Sequence, residues 1–174
     1  MSSGRFFVLW MLSFLGFPLG GLAAILIVGS VEGVISGAFA GALAGAVIGT
    51  AQWLALRGRV RVGPAWIVST ALGLAAGDGV GAALTGAGTV IGSLLVTGIV
   101  AGVAVGLSQW TAIRRLSEGA IFWPIAVMVA WPIGWTVTWA VGVDVERGYA
   151  VFGASGALVF SAITGVAMLR IIRR

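Results

Sequence analysis

Long apolar runs alternate with short polar or turn-forming segments along this chain. The runs cover residues 6–28, 33–56, 65–113, 121–143 and 149–172. A helix of about 23 residues is about 35 Å long, enough to cross a hydrocarbon core of roughly 30 Å. The run at 65–113 is twice as long as one span needs, so it must turn back, and the Gly/Thr-rich segment Leu84–Gly88 is predicted to form the turn. The pattern predicts an all-α membrane protein with six transmembrane helices.

Two of these predicted helices carry glycine at every fourth position. Residues four apart lie on one face of an α-helix, so each series forms a groove without side chains, in which another helix can pack closely. We predict helix packing as the role of this face, with a backbone-lined path for a small solute as the alternative. The glycines concerned are Gly37, Gly41, Gly45 and Gly49 in the second span, and Gly98, Gly102 and Gly106 in the fourth.

The glycine series belong to a repeat with a period of 57 residues. Gln52 and Gln109 are 57 positions apart, and so are Trp66 and Trp123. This register predicts a single transmembrane domain, residues 1–174, built from three tandem helical hairpins at about 1–60, 61–117 and 118–174. The third copy lacks the Gln-Trp pair. Hairpins that all enter the membrane in the same direction are expected to be related by a pseudo-threefold axis along the membrane normal.

The phrase GxxxGxxQWxxLR, followed by a Trp-led span with further glycines, resembles a group of small bacterial multi-pass proteins with duplicated Gln-Trp motifs. The resemblance covers residues 37–81 and 98–142, and the second copy departs from the motif in having Ile113 in place of leucine. It supports the membrane and repeat predictions and implies no activity. The residues of the first copy that match are Gly45, Gly49, Gln52, Trp53, Leu56 and Arg57.

The charged residues predict the orientation of the six spans. Nine of the ten basic residues, all of them arginine, fall on the side of the termini, and Arg147 falls on the other. Positive charge collects on the cytoplasmic side, so both termini are expected there, in the cell (inner or plasma) membrane. Topology therefore accounts for the net charge of +5, and we expect no nucleic-acid partner. The acidic residues toward the opposite side are Glu32, Asp78, Asp144 and Glu146.

The residue types that usually carry enzyme chemistry are scarce. The sequence has no cysteine, no histidine and no lysine, and only 9% of its residues are charged. Nucleophile–base pairs, metal clusters and Schiff-base lysines are thus missing from the sequence. We expect no enzyme activity, no metal and no cofactor. The expected partners are the lipid bilayer and a homo-oligomer or a larger membrane complex.

Asp78 is the strongest single candidate for a functional residue. It lies twelve positions after Trp66, about 18 Å along a helix, and so inside the hydrocarbon of a straight span. An ionisable group at that depth indicates an ion or proton site. The alternative is that the segment Ala76–Gly79 unwinds and leaves Asp78 among the outer headgroups.

Two sets of side chains near the glycine faces are further candidates. Gln52, Gln109 and Thr138 would form a polar pathway or interhelical hydrogen bonds. Trp131, Trp135 and Trp139 recur every fourth residue, and they would either pack into neighbouring grooves and lipid or form an aromatic wall for a flat apolar ligand. The tryptophans beside the arginine loops are interpreted as interface anchors: Trp53, Trp66, Trp110 and Trp123.

Two functions fit these observations. The first is a non-catalytic scaffold or accessory subunit that assembles through its glycine-zipper faces. The alternative is a small transporter or channel for an ion or a small or apolar solute, with Asp78, the glutamines and the threonines on its path.

Overall fold

A computed structural model describes residues 1–143 and 149–172 of the chain. The predicted outer acids Asp144 and Glu146, and Arg147 beside them, lie outside the described residues.

The described chain is helical and contains six helices long and apolar enough to cross a membrane, which confirms the predicted fold class at this level. The first span consists of two helices joined by a short 3₁₀ turn at Ser13–Leu15. A second 3₁₀ turn, Glu118–Phe122, precedes the fifth span. The α-helices are α1 (Ser3–Leu12), α2 (Gly16–Val28), α3 (Val34–Leu56), α4 (Ala65–Thr85), α5 (Ile91–Ile113), α6 (Trp123–Ala140) and α7 (Tyr149–Ile172).

Proline and glycine set the ends of α4, as the sequence pattern indicates. Pro64 precedes the first residue of the helix, where its missing N–H has no helical partner to lose. At the other end, Gly86 takes a left-handed conformation with φ 62°, and its N–H bonds the carbonyl of Ala82. The long run therefore turns back within the predicted segment, and α5 begins at Ile91.

The helices form a closed ring. Each span packs against its neighbours in the sequence, and α7 packs against α1 and α2 to complete the circle. At one end of the ring Arg59, in the loop between α3 and α4, donates a hydrogen bond to the carbonyl oxygen of Met1. We call this the termini end. The loops between α2 and α3 and between α4 and α5 lie at the opposite end.

Glycines make the contacts between neighbouring helices unusually close. A Cβ added at Gly41 would lie 2.5 Å from the carbonyl oxygen of Leu74, and one at Gly45 would lie 2.7 Å from that of Thr70. The same relation joins the next pair of helices, because a Cβ at Gly77 would lie 2.5 Å from the Cα of Ala101. The glycine faces are therefore filled by neighbouring helices of the same chain.

Candidate functional site

A cavity of about 250 Å³ lies inside the ring, toward the end opposite the termini. It is lined by Val31 in the α2–α3 loop and by Ala87, Gly88 and Thr89 in the α4–α5 loop, so it extends to that end of the bundle. Every span contributes to the wall. Lining residues on the helices include Phe17, Ala24, Gly37, Ala44, Leu74, Asp78, Leu94, Thr97, Trp131, Trp135, Thr138 and Phe160.

Asp78 lies on a continuous stretch of α4 and lines this cavity. The alternative that Ala76–Gly79 unwinds is wrong, because the glycines of this segment pack the helix tightly against its neighbours instead of breaking it. Asp78 is seven residues before the end of α4, at Thr85, about 10 Å along the helix axis. Its side chain faces α3, since a Cβ at Gly41 would lie 3.0 Å from Oδ2 of Asp78. Asp78 as a whole residue is half-buried.

Three aromatic rings contact one another at the inner part of the cavity wall. Phe17, Trp131 and Phe160 come from the first, fifth and sixth spans. The ring centroids of Phe17 and Phe160 are 5.1 Å apart, those of Trp131 and Phe160 are 5.1 Å apart, and those of Phe17 and Trp131 are 5.9 Å apart. We call this group the aromatic floor.

The three tryptophans considered as an aromatic wall on α6 do not share one environment. Trp131 and Trp135 line the cavity, and Trp135 also packs over Gly98 on α5. Trp139 does not line it and is 56% exposed on the outside of the bundle. An α-helix turns about 100° per residue, so eight residues bring a side chain about 80° away from the starting direction. Thr138, one residue earlier, faces the cavity instead.

The two glutamines bond each other inside the bundle. Gln52 Oε1 accepts hydrogen bonds from Nε1 of Trp66, at 3.2 Å, and from Nε2 of Gln109, at 3.1 Å. Nε2 of Gln109 also donates to the hydroxyl of Thr70 at 2.9 Å, and Oε1 of Gln109 accepts from Nε1 of Trp123 at 3.0 Å. Both glutamine side chains are buried. These hydrogen bonds link α3, α4, α5 and α6.

Three tryptophans fill the centre of the ring beside these glutamines. The ring centroids of Trp10, Trp66 and Trp123 are 5.8 to 6.4 Å apart in all three pairings. Trp10 completes the set by donating from Nε1 to the hydroxyl of Thr164 on α7 at 3.1 Å. We call the three rings, with Gln52, Gln109, Thr70 and Thr164, the tryptophan layer.

The tryptophan layer corrects one prediction. Trp66 and Trp123 were expected at the membrane interface, but they are 0% and 1% exposed. An indole can lie in a protein interior when its N–H has an acceptor, and each glutamine supplies one. The interval of 14 residues from Gln52 to Trp66, repeated from Gln109 to Trp123, is the sequence signal for this pairing. Trp53 does lie near the arginine loop, with the Arg57 guanidinium 5.3 Å from its ring centroid.

The cavity is closed toward the termini end. Ile48, Leu74, Ala101 and Val105 are buried hydrophobic residues of the same core cluster as the tryptophan layer. The tryptophan layer fills the centre of the ring nearer the termini.

The described residues contain no group of three or more His, Cys, Asp or Glu side chains that could hold a metal ion. One buried hydroxyl in this part of the chain, that of Ser117 near the termini end, has no hydrogen-bond partner. Comparisons with family models, curated proteins and solved structures gave no match for this chain.

Proposed function

We propose that this chain is a non-catalytic membrane carrier that binds a small solute in the cavity between the aromatic floor and the end opposite the termini. The observation that carries the proposal is the position of Asp78, a carboxyl group in the middle of a span that lines a cavity closed on one side. An ionisable group inside a membrane protein is costly to place, and such groups usually mark a solute or ion path.

A carrier fits this geometry better than a channel or a scaffold. A channel needs a continuous path, whereas the buried tryptophan layer fills the centre of the ring. A scaffold that assembled through its glycine faces would need those faces free. These faces are instead occupied within the chain. Glycines of both series lie against backbone atoms of the neighbouring helix, namely Gly41, Gly45, Gly102 and Gly106.

The pattern of Trp–acceptor bonds supports an arrangement of three hairpins around a pseudo-threefold axis. In each case an indole on one hairpin bonds a polar side chain on another: Trp66 to Gln52, Trp123 to Gln109, and Trp10 to Thr164. The 57-residue register also places Gly21, Asp78 and Trp135 at equivalent positions, and all three line the cavity. Three related hairpins would thus contribute three different groups to one site.

The arginine distribution supports an orientation with both termini in the cytoplasm of the cell membrane. The cavity would then open to the outside. Because the sequence lacks cysteine, a single introduced thiol reports its own location without background. Ser30, exposed in the α2–α3 loop, and Ser2, exposed at the amino terminus, lie at opposite ends of the bundle.

We expect Ser30→Cys to react with a membrane-impermeant maleimide in intact cells, and Ser2→Cys to react only after lysis. The reason is that the arginine-rich side is retained in the cytoplasm. Labelling is measured by the gel shift of the tagged protein. The reverse pattern would place the cavity on the cytoplasmic side.

A thiol inside the cavity tests whether solutes reach it. We expect Thr97→Cys, which lines the cavity, to react with iodoacetamide in detergent within about tenfold of the rate for Ser30→Cys, because the cavity extends to the end of the bundle and is wide enough for a small reagent. Val105→Cys is the matched control on the same helix, buried at 1% exposure beyond the floor, and should not react. Equal protection of both thiols would overturn the proposed function.

A further inference from the structure

The cavity combines a carboxyl group with aromatic rings and small apolar side chains. Asp78 is the only acidic residue among the described lining residues, and no arginine is among them. Most of the remaining wall is glycine, alanine and leucine, with Phe17, Trp131, Phe160 and Trp135 as the large side chains. Such a site offers one carboxyl group and several aromatic rings, with few hydrogen-bond donors for an anion.

The donor set does not suit a bare metal cation. Ca²⁺ takes six to eight oxygen ligands, and Mg²⁺ requires near-octahedral coordination. The described wall provides one carboxylate and the hydroxyls of Thr89, Thr97 and Thr138. Of these, the Thr138 hydroxyl already accepts a hydrogen bond from the hydroxyl of Ser155, at 3.4 Å. These side-chain oxygens alone are too few to replace the hydration shell of Ca²⁺ or Mg²⁺.

We infer that the solute is a small organic ammonium ion, with its cationic head at Asp78 and its alkyl groups against the aromatic rings. A cation over the face of an aromatic ring is attracted by the ring quadrupole, and Trp is the strongest partner. The carboxylate supplies the opposite charge without a covering arginine. This inference rests on the proposed function, because it identifies the substrate class of the same cavity.

The volume and the asymmetry of the site agree with this class. A cavity of about 250 Å³ is smaller than the roughly 300–1,000 Å³ of pockets for drug-sized ligands, so it suits a small compound. At the three positions related by the 57-residue register, one hairpin has Asp78, one has the indole of Trp135 and one has Gly21. Each hairpin thus gives the cavity a different group: a carboxyl group, an indole ring, or a glycine that leaves room for the ligand.

Choline and its neutral carbon isostere, 3,3-dimethylbutan-1-ol, provide the test, because they differ only in the charge of the head. Binding to the purified full-length protein in maltoside detergent is measured by isothermal titration calorimetry. We expect choline to bind at least tenfold more tightly than the isostere. Asp78→Asn should remove that preference and leave the affinity for the isostere unchanged, whereas Asp78→Glu should retain a preference for choline.

Glu32→Gln is the matched control, because Glu32 is an exposed acid at the same end of the bundle that does not line the cavity. It should bind choline like the unmodified protein. Equal affinity for choline and the isostere, or loss of choline binding in Glu32→Gln, would overturn the inference. So would absence of binding by either probe in protein whose Thr97→Cys variant is reactive. Absence of binding by both probes would contradict the ammonium substrate but leave the proposed carrier function in place. An unreactive Thr97→Cys would contradict the carrier function and, with it, the ammonium substrate.

The ammonium head group could belong to a free solute or to a lipid. Repeating the choline titration in nanodiscs of phosphatidylglycerol, with and without phosphatidylcholine, separates these sources. We expect the same affinity in both, as for a soluble ligand. Competition by phosphatidylcholine would support the same head-group chemistry and assign it to a lipid.

Discussion

Gly45→Leu is expected to prevent the chain from folding. A Cβ at this position would lie 2.7 Å from the carbonyl oxygen of Thr70 and 2.8 Å from the Cα of Ala71. These are backbone atoms of α4, so no side-chain rotation relieves the clash, and the two helices must separate. Contacts between transmembrane helices depend on such close packing, because lipid competes equally well for apolar side chains. We expect loss of the monodisperse peak in size-exclusion chromatography.

Gly92→Leu is the matched control for this substitution. Gly92 lies in the first turn of α5, and an added Cβ there would meet nothing within 4 Å. The control should give folded protein at the level of the unmodified chain. Gly45→Ala is expected to have an intermediate effect, measured as a lower apparent melting temperature. Normal yield and melting temperature for Gly45→Leu would show that the contact between α3 and α4 does not hold the bundle together.

Gln109→Leu is expected to destabilise the bundle by about 1–2 kcal/mol, because it leaves the buried indole N–H of Trp123 without a partner. Leucine has nearly the same size as glutamine, so the cavity term is small. The indole N–H of Trp123 would lose its acceptor, and Gln52 Oε1 and the Thr70 hydroxyl would lose a donor. Each orphaned polar group costs about 1–3 kcal/mol in a protein interior, although hydrogen bonds between membrane helices often contribute less than 1 kcal/mol.

Stability in this case is measured by reversible unfolding in mixed micelles, followed by tryptophan fluorescence. Thr111→Leu is the control, since Thr111 is an exposed polar residue on the same helix whose hydroxyl bonds only the carbonyl of Ser108. Combining Gln109→Leu with Gln52→Leu should cost less than the sum of the two single changes, because the two side chains share one network. Additive effects would contradict the shared hydrogen bonding.

The spans and turns could be predicted from the sequence because each depends on local composition. Long apolar runs fix the helices, and residues such as Pro64 and Gly86 fix their ends. The prediction that Trp66 and Trp123 lie at the membrane interface was wrong because it, too, used only local composition. Interface and interior both accept tryptophan, and the choice depends on whether an acceptor reaches Nε1. That acceptor is on another helix, so local composition carries little information about it.

The site was only partly predictable. Asp78 could be identified because an isolated charge in an apolar run is conspicuous in any sequence. The aromatic floor could not, since Phe17, Trp131 and Phe160 come from three separate spans and meet only when the ring closes between α7 and the first span. Phenylalanine in a membrane helix is also common, so neither Phe17 nor Phe160 differs from a lipid-facing residue in the sequence alone.

The 3₁₀ turn at Ser13–Leu15 lengthens the first span along its axis. If the proposed 57-residue repeat holds, the first span is one residue short between its two layers, because Trp10 is 56 residues before Trp66 whereas Phe17 is 57 before Leu74. A 3₁₀ turn rises about 0.5 Å more per residue than an α-helix, so three residues gain about 1.5 Å, the rise of one α-helical residue. The turn thereby returns the Trp10 ring to the height of its two partners. The Trp10 ring accordingly contacts both partners, with its centroid 6.4 Å from that of Trp66 and 6.0 Å from that of Trp123.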